Sequence, residues 1–239
     1  MKLNNRFAKG ALATAAAASA VLAMTATSAQ AFTTYTPNGG PSANFVNQSK
    51  ISFIDAATGD ILSCNTFTLA GSITSPGTSR AYAPATGNTG PDAGSLTSLN
   101  SGGTGGCSNP TAGPTTVTAL GTWKVAITGD KVGSSFPAKL YGIKAYVDAA
   151  NCKFYVGGPS DTATSAGTGW VTGKFDPTTQ NFTADTTSAG LVISTPPTGS
   201  VCTLLGLLED DPIDINGATV GSAAVWKNTS TPALTISNP

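Results

Sequence analysis

The residues best placed for chemistry in this chain are acidic. Glu209, Asp210, Asp211 and Asp214 lie within one short segment, and carboxylate oxygens held close together are the ligands that extracellular Ca²⁺ prefers. Their spacing matches no calcium loop, so the favoured interpretation is a solvated, charged loop between two strands. Calcium binding stays as the alternative, and no other metal and no cofactor is predicted.

Two carboxylates at a suitable separation could also hydrolyse a glycosidic bond. Glu209 is the only glutamate in the chain. The aspartates in or beside predicted turns are expected to form those turns, which is the ordinary role of Asp at such places. They are Asp55, Asp60, Asp148, Asp176 and Asp185. The pattern favours turn formation over glycoside hydrolysis.

The absence of histidine excludes the common hydrolytic mechanisms. With no histidine in the sequence, Ser-His-Asp, Cys-His and zinc-dependent hydrolysis are all removed. Neither an S-x-x-K nor a G-x-S-x-G motif occurs, so two further classes of hydrolase lack their signatures. We predict that the protein is not an enzyme and has no catalytic residue.

Aromatic side chains offer binding chemistry instead. Trp170 shares its predicted strand face with polar Thr172 and Lys174, which favours exposure of its ring. We predict a ligand platform of Trp170, Tyr155 and Trp226 on which sugar rings could stack. Packing of the same rings in the core is the competing interpretation.

Four cysteines, Cys64, Cys107, Cys152 and Cys202, are predicted to form two disulfides. Pairing is the expected state in an oxidising compartment. Of the three connectivities, we favour Cys64 with Cys107 and Cys152 with Cys202, because sequential pairing closes two loops of similar length around neighbouring strands. A zinc site is disfavoured, since no C-x-x-C spacing occurs.

Residues 1–31 read as a secretory signal peptide. Three basic residues precede an apolar stretch from about Ala11 to Met24, and Ala29-Gln30-Ala31 fits the small-residue cleavage pattern. The stretch falls short of the ~20 apolar residues that a membrane span requires. We therefore predict cleavage, no transmembrane helix in the rest of the chain, and a secreted, extracellular location, with attachment to the cell surface left open.

The remaining residues, 32–239, are predicted to form a single secreted β-domain. Three of the twelve basic residues lie in the signal, so this part carries nine basic and twelve acidic side chains, a net charge of −3. A mildly acidic surface without a Lys/Arg cluster disfavours nucleic acid as a partner. Cell-wall polysaccharide or another envelope component is the partner left open.

Alternating β-formers separated by turn residues predict a series of antiparallel hairpins. Their turns are placed at Ala56–Gly59, Asp148–Asn151 and Asp176–Thr179. One continuous strand is predicted from Ala138 to Asp148, and its face carries Tyr141, Ile143, Ala145 and Val147.

Two stretches are predicted to depart from this hairpin pattern or to be ambiguous in it. Residues 75–114 are rich in Gly, Ser and Pro and are predicted to be a long surface loop. Val201 to Leu205 is assigned to a strand, and only Leu204 to Asp211 could hold a helical turn. The predicted fold class is all-β: an antiparallel β-sandwich of roughly ten to twelve strands with two disulfides, or alternatively a closed β-barrel.

Three short motifs together resemble a group of secreted actinobacterial proteins. They are Ile61-Leu62-Ser63-Cys64, Tyr141-Gly142-Ile143-Lys144 leading to Asn151-Cys152, and Val201-Cys202 followed by Leu204-Leu205-Gly206. The group consists of uncharacterised four-cysteine, Thr/Ser/Gly-rich β-proteins. The resemblance implies export, a β-fold and structural cysteines, and it supplies no catalytic residue.

The function that these features favour is non-enzymatic. We expect a secreted or cell-envelope-associated protein with a structural or binding role and an unknown ligand. A carbohydrate-binding module is one alternative and an envelope β-barrel is the other.

Overall fold

The computed structural model describes residues 32–187 and 190–238, and the predicted signal peptide, residues 1–31, lies outside them. Within the described ranges the chain forms nineteen strands and one helix, which confirms the predicted all-β class. In chain order the elements are β1 (Thr34–Asn38), β2 (Ser42–Asn47), β3 (Ile51–Asp55), β4 (Ile61–Cys64), β5 (Thr68–Ile73), β6 (Arg80–Ala81), β7 (Gly94–Asn100), β8 (Cys107–Asn109), β9 (Gly113–Ala119), β10 (Trp123–Ile127), β11 (Phe136–Ile143), β12 (Ala145–Ala149), β13 (Cys152–Gly157), β14 (Gly169–Asp176), β15 (Asn181–Ala184), β16 (Val192–Ile193), α1 (Ser200–Leu205), β17 (Ile213–Asn216), β18 (Val225–Asn228) and β19 (Thr235–Ser237).

Eight strands close into an antiparallel barrel. Their order is β10-β11-β14-β15-β18-β2-β5-β7, and β7 pairs back to β10, with Trp123 opposite Leu96. Closure leaves no strand of this sheet with an unpaired edge. Alternate side chains such as Phe45, Leu140 and Phe175 are buried, as a filled barrel interior requires.

A second eight-stranded antiparallel sheet also curls until its ends meet. Its order is β16-β13-β12-β9-β8-β4-β3-β17. The two end strands approach through an antiparallel bridge between Val192 and Pro212. The Ile213 amide also donates to the Leu191 carbonyl at 2.9 Å. Both large sheets are therefore barrel-like, and barrel closure was the alternative that the sequence left open.

A small sheet of β19, β1 and β6 contributes to the interior of the closed barrel. Pro37 on β1 and Ile236 on β19 are register partners, and both line a cavity inside the barrel. The first residues that the structure describes thus include a strand, Thr34–Asn38.

The predicted strand from Ala138 to Asp148 is wrong as one element, because the chain changes sheets within it. β11 ends at Ile143 in the barrel, and β12 begins at Ala145 in the second sheet. A bulge separates Tyr141 from Ile143 at Gly142, whose φ of 70° favours glycine. Ile143, Ala145 and Val147 stay on one inner face, whereas Tyr141 packs in a separate cluster with Ala83 and Ala126.

The prediction of one long loop at residues 75–114 needs correction as well. The stretch contains β6, β7 and β8, and β7 is a strand of the barrel. Its small residues serve a close approach between strands. A Cβ atom added to Gly94 on β7 would lie 2.8 Å from the carbonyl oxygen of Ser72 on β5, and one added to Gly71 on β5 would lie 1.8 Å from that of Ser95 on β7.

The predicted pairing of both disulfides is confirmed. Cys64 and Cys107 are register partners on adjacent strands, with Cα atoms 3.9 Å apart. The other bridge joins Cys152, at the start of β13, to Cys202 in α1, with Cα atoms 4.8 Å apart. The first disulfide therefore lies within the second sheet, and the second holds the helix against that sheet.

The helix α1 replaces the strand predicted at Val201 to Leu205. It follows Gly199 and ends at Gly206, which is in the left-handed conformation at φ 72°. A Cβ atom on Gly199 would lie 1.9 Å from the Asn151 carbonyl oxygen, so only glycine lets the helix start against the β12–β13 turn. Among the described residues, no helix has the length and apolar character to cross a bilayer.

Candidate functional site

An apolar cavity of about 90 Å³ lies against the inner face of the second sheet, and barrel residues such as Leu140 and Val171 line its other side. Its walls follow from strand alternation, because every second residue of these strands points to the same side. The lining residues from the sheet include Phe53, Leu62, Thr115, Val117, Ala145, Val147, Ala149, Phe154, Val156, Ile193, Ile213 and Ile215. Phe53, Leu62 and Phe154 are only half-buried, whereas Val117, Ala145 and Ile193 are buried.

The helix and the segment that follows it close one part of this cavity. Leu205 and Leu207 line it, and the bridge between Cys202 and Cys152 fixes the helix beside them. Leu204 and Leu208, which flank these two in the sequence, are 74 % and 65 % exposed. The segment therefore places two leucines against the cavity and two on the outer surface.

A second cavity of about 50 Å³ lies inside the closed barrel. Leu69, Leu140 and Trp226 line both cavities, so these three side chains form the wall between them. Trp226 is held there by its indole Nε1, which donates to the Phe67 carbonyl at 2.9 Å. The two apolar interiors are neighbours separated by one layer of side chains.

Two carboxylates border the larger cavity, at the turn between β3 and β4. Asp55 is 3 % exposed. Its Oδ1 accepts hydrogen bonds from the amides of Ala57 at 2.8 Å and Thr58 at 3.2 Å, which shapes the turn. Its Oδ2 is buried and has no hydrogen-bond partner. This is an acceptor at the edge of an otherwise apolar space.

Asp60, the second of these carboxylates, is half-buried. Burial, and then the charge of Asp55, raise the pKa of its carboxyl above the ordinary value. Neither carboxylate forms an ion pair with a basic side chain of the described residues. The edge of the cavity is therefore negatively charged without a paired cation.

The structure does not gather the predicted aromatic platform on one exposed surface. Trp226 is 2 % exposed and belongs to the core. Tyr155, on the second sheet, packs against Tyr146 with ring centroids 5.0 Å apart. Trp170, on the barrel, is half-buried beside the cluster of Tyr141. Trp226 is therefore a core residue, as the competing interpretation expected. The side chains of Trp170 and Tyr155 remain partly exposed to solvent.

The acidic segment has a mixed role. Glu209 and Asp210 are exposed. Asp211 is 9 % exposed, and its Oδ2 accepts from the Leu208 amide at 2.6 Å, as in a turn. Asp214 lies on β17. No group of three His, Cys, Asp or Glu side chains in the described part of the chain could hold a metal ion, so the calcium alternative gains no geometric site.

Two buried lysines were missed by sequence reasoning. Lys139 is fully buried, and its Nζ donates to the carbonyls of Thr86, Gly87 and Thr89 at 3.3, 2.9 and 2.8 Å. Lys144 binds the loop after β13 in the same way, through the carbonyls of residues 162, 163 and 165. Each ammonium satisfies three backbone acceptors and fixes one loop. Lys144 lies off the predicted apolar face, which was the only signal for it, whereas alternation places Lys139 on that face beside Tyr141 and gives no signal.

Comparison with known proteins adds no relative. No family model matches the chain, and neither a curated protein nor a solved structure matches it.

Proposed function

We propose that this chain is an exported, non-enzymatic binding protein that holds a small apolar molecule in the cavity of the second sheet. The observation that carries the proposal is the partly open space of about 90 Å³ with an almost wholly apolar wall. Cavities of this kind stay free of water and take up apolar guests, because water finds no hydrogen-bond partners in them.

Export rests on the predicted signal peptide and on the two disulfides. Both bridges use the four cysteines of the described residues and leave no free thiol there, which suits an oxidising compartment outside the cytosol. The resemblance to secreted actinobacterial proteins belongs to the same proposal. Attachment to the cell envelope is compatible with it.

A non-enzymatic role is supported by the hydrogen bonds that two aspartates accept from backbone amides. The Asp161 carboxylate accepts from the amides of Gly158 and Thr168, both at 2.9 Å. Asp176 accepts from the Thr178 amide at 2.8 Å in the turn after β14. These carboxylates accept hydrogen bonds that hold turns and loops, which is a structural use of Asp.

Xenon uptake tests the proposed function. The methyl groups of Val147, Ile193 and Ile215 line the cavity, and we expect their NMR shifts to change saturably as xenon is added to the disulfide-bonded protein. Ala149→Leu places three more carbons in the cavity and should abolish the change.

The neighbouring residue Ala150, exposed in the turn, supplies the matched control, and Ala150→Leu should leave xenon uptake intact. Unchanged methyl shifts in the unmodified protein would reject the proposal. Equal loss in both variants would show that the response does not come from the cavity.

A further inference from the structure

The Asp55 carboxylate has an oxygen whose burial the fold does not explain. Oδ1 alone shapes the turn, through Ala57 and Thr58. Oδ2 contributes to no hydrogen bond although it is buried. A buried acceptor without a partner costs about 1–3 kcal/mol, and more when it is charged, so this oxygen calls for a specific explanation, such as a water, an ion or a ligand bound to it.

The position of Asp55 relates this carboxylate to the cavity. Asp55 lies on the same face of β3 as Phe53, and both residues line the cavity. A molecule inside the second sheet could therefore present a hydrogen-bond donor to Oδ2 while its body contacts the apolar wall.

The charge around Asp55 selects the kind of donor. Asp60 stands across the turn, and its charge and that of Asp55 interact. The acidic segment adjoins them, because the Ala56 amide donates to the Pro212 carbonyl at 2.9 Å. Lys153, on the β12–β13 hairpin of the same sheet, is paired with Asp148 at 3.5 Å. An anion would be repelled here, whereas a cation would find an uncompensated carboxylate.

We infer that the cavity takes a short aliphatic amine, with the ammonium group donating to Asp55 Oδ2 and the chain inside the second sheet. This inference rests on the proposed function and names its ligand class. The ammonium loses water on entry, and the carboxylate, already desolvated by the fold, offsets that cost.

The size of the cavity limits the chain. An engineered cavity of about 150 Å³ takes up benzene. The space here is about 90 Å³, so a short unbranched chain suits it better than an aromatic ring.

Three probes of equal length separate the head group from the chain. We would titrate n-butylammonium chloride, 1-butanol and sodium butyrate into the disulfide-bonded protein at pH 7, and follow the cavity methyl groups by NMR. We expect n-butylammonium to bind at least tenfold more tightly than 1-butanol, and butyrate not to bind.

Asp55→Asn keeps a side-chain oxygen for the turn and removes the charge. We expect it to weaken n-butylammonium binding at least tenfold and to change 1-butanol binding less than threefold. Asp185→Asn, an exposed carboxylate after β15 in the barrel, is the matched control and should change neither. Should Asp55→Asn not fold, Asp60→Asn removes the neighbouring negative charge and should weaken the binding of n-butylammonium but not that of 1-butanol.

The outcomes separate this inference from the proposed function. If 1-butanol and n-butylammonium bind equally and Asp55→Asn affects neither, the ammonium site is rejected, Oδ2 is served by water alone, and the cavity still binds apolar molecules. If xenon and 1-butanol both fail to bind the unmodified protein, the proposed function itself is rejected.

Discussion

Lys139 shows how one side chain on the outside of the barrel can organise a loop. Its methylenes are covered, and its ammonium group meets three carbonyls of residues 86–89. Burial lowers the pKa of this ammonium, while the three acceptors favour its charged form. The loop has few large apolar side chains of its own, so these hydrogen bonds carry much of its order.

Replacing this ammonium should therefore cost stability. Lys139→Met keeps the length of the side chain and leaves three carbonyls without their donor, and we expect a loss of about 2 kcal/mol in the free energy of unfolding. Urea denaturation measures it. Lys174→Met, at an exposed position on the paired strand β14, should change stability by less than about 0.5 kcal/mol. Similar midpoints for the two variants would contradict the role assigned to Lys139.

Tyr141 makes the free energy of unfolding depend on pH in the alkaline range. Burial, and then the charge of Asp92, raise the pKa of its phenol to about 12, and its hydroxyl donates to the Gly90 carbonyl at 2.8 Å. The unfolded phenol ionises near its ordinary value of about 10. The contribution of Tyr141 is thus fully present below pH ~10 and is lost as the pH rises through its folded-state pKa.

Tyr141→Phe isolates this effect. The stability difference between the unmodified protein and the variant should be largest at pH 8 and should shrink steadily between pH 10 and pH 12. Urea midpoints at pH 8, 10 and 11 give the comparison. A difference that stays constant across this range would show that the folded and unfolded phenols ionise alike.

At the scale of the element, α1 depends on the bridge between Cys152 and Cys202. Its six residues are too few for a stable isolated helix, and Cys202 is its buried residue. In the chain-entropy model, a bridge spanning 50 residues stabilises the fold by about 4 kcal/mol.

Removing each bridge in turn should give a similar loss of stability with different local consequences. In Cys152→Ala/Cys202→Ala, amide hydrogen exchange should rise in α1 and beside Leu205 and Leu207, and xenon uptake should weaken. In Cys64→Ala/Cys107→Ala, exchange should rise in β4 and β8 instead. Exchange in α1 that is equal in the two variants would mean that packing, rather than the bridge, holds the helix.

Local features of the elements could be read from the sequence. The hairpin at Ala56–Gly59 and that at Asp176–Thr179 are confirmed, because turn chemistry acts over a few residues. The pairing of the cysteines is confirmed for a related reason, since each bridge joins elements that pack directly against each other. Val225–Asn228 was missed as a strand, because its polar positions weaken the alternation.

Features that depend on distant contacts could not be read. β7 has the composition of a loop, and only its position beside Gly71 shows why small residues are needed there. The helix at Ser200–Leu205 depends on Cys152, some 50 residues earlier. The cavity exists because residues near Val192 and Pro212 meet and curl the second sheet, and no local pattern encodes that meeting.

At the scale of the whole molecule, a single layer of side chains separates the two cavities. Leu69, Leu140 and Trp226 face the second sheet on one side and the barrel on the other. Their packing also includes Phe67 and Phe182, whose rings lie 6.4 and 6.2 Å from that of Trp226. If this wall limits the chain length of the guest, thinning it should admit a longer guest.

Leu140→Ala tests that expectation. The loss of a buried leucine should cost about 2–5 kcal/mol and leave a space that the close-packed barrel only partly refills. The cavities of about 90 and 50 Å³ would then join, and we expect 1-hexanol to bind the variant at least tenfold more tightly than the unmodified protein in the methyl NMR titration.

Leu96→Ala is the matched control. It enlarges the barrel cavity alone, since Leu96 lines only that one of the two, and the variant should lose similar stability without gaining 1-hexanol binding. Equal gains in both variants would show that added volume anywhere in the core, rather than removal of the shared wall, sets the length of the guest.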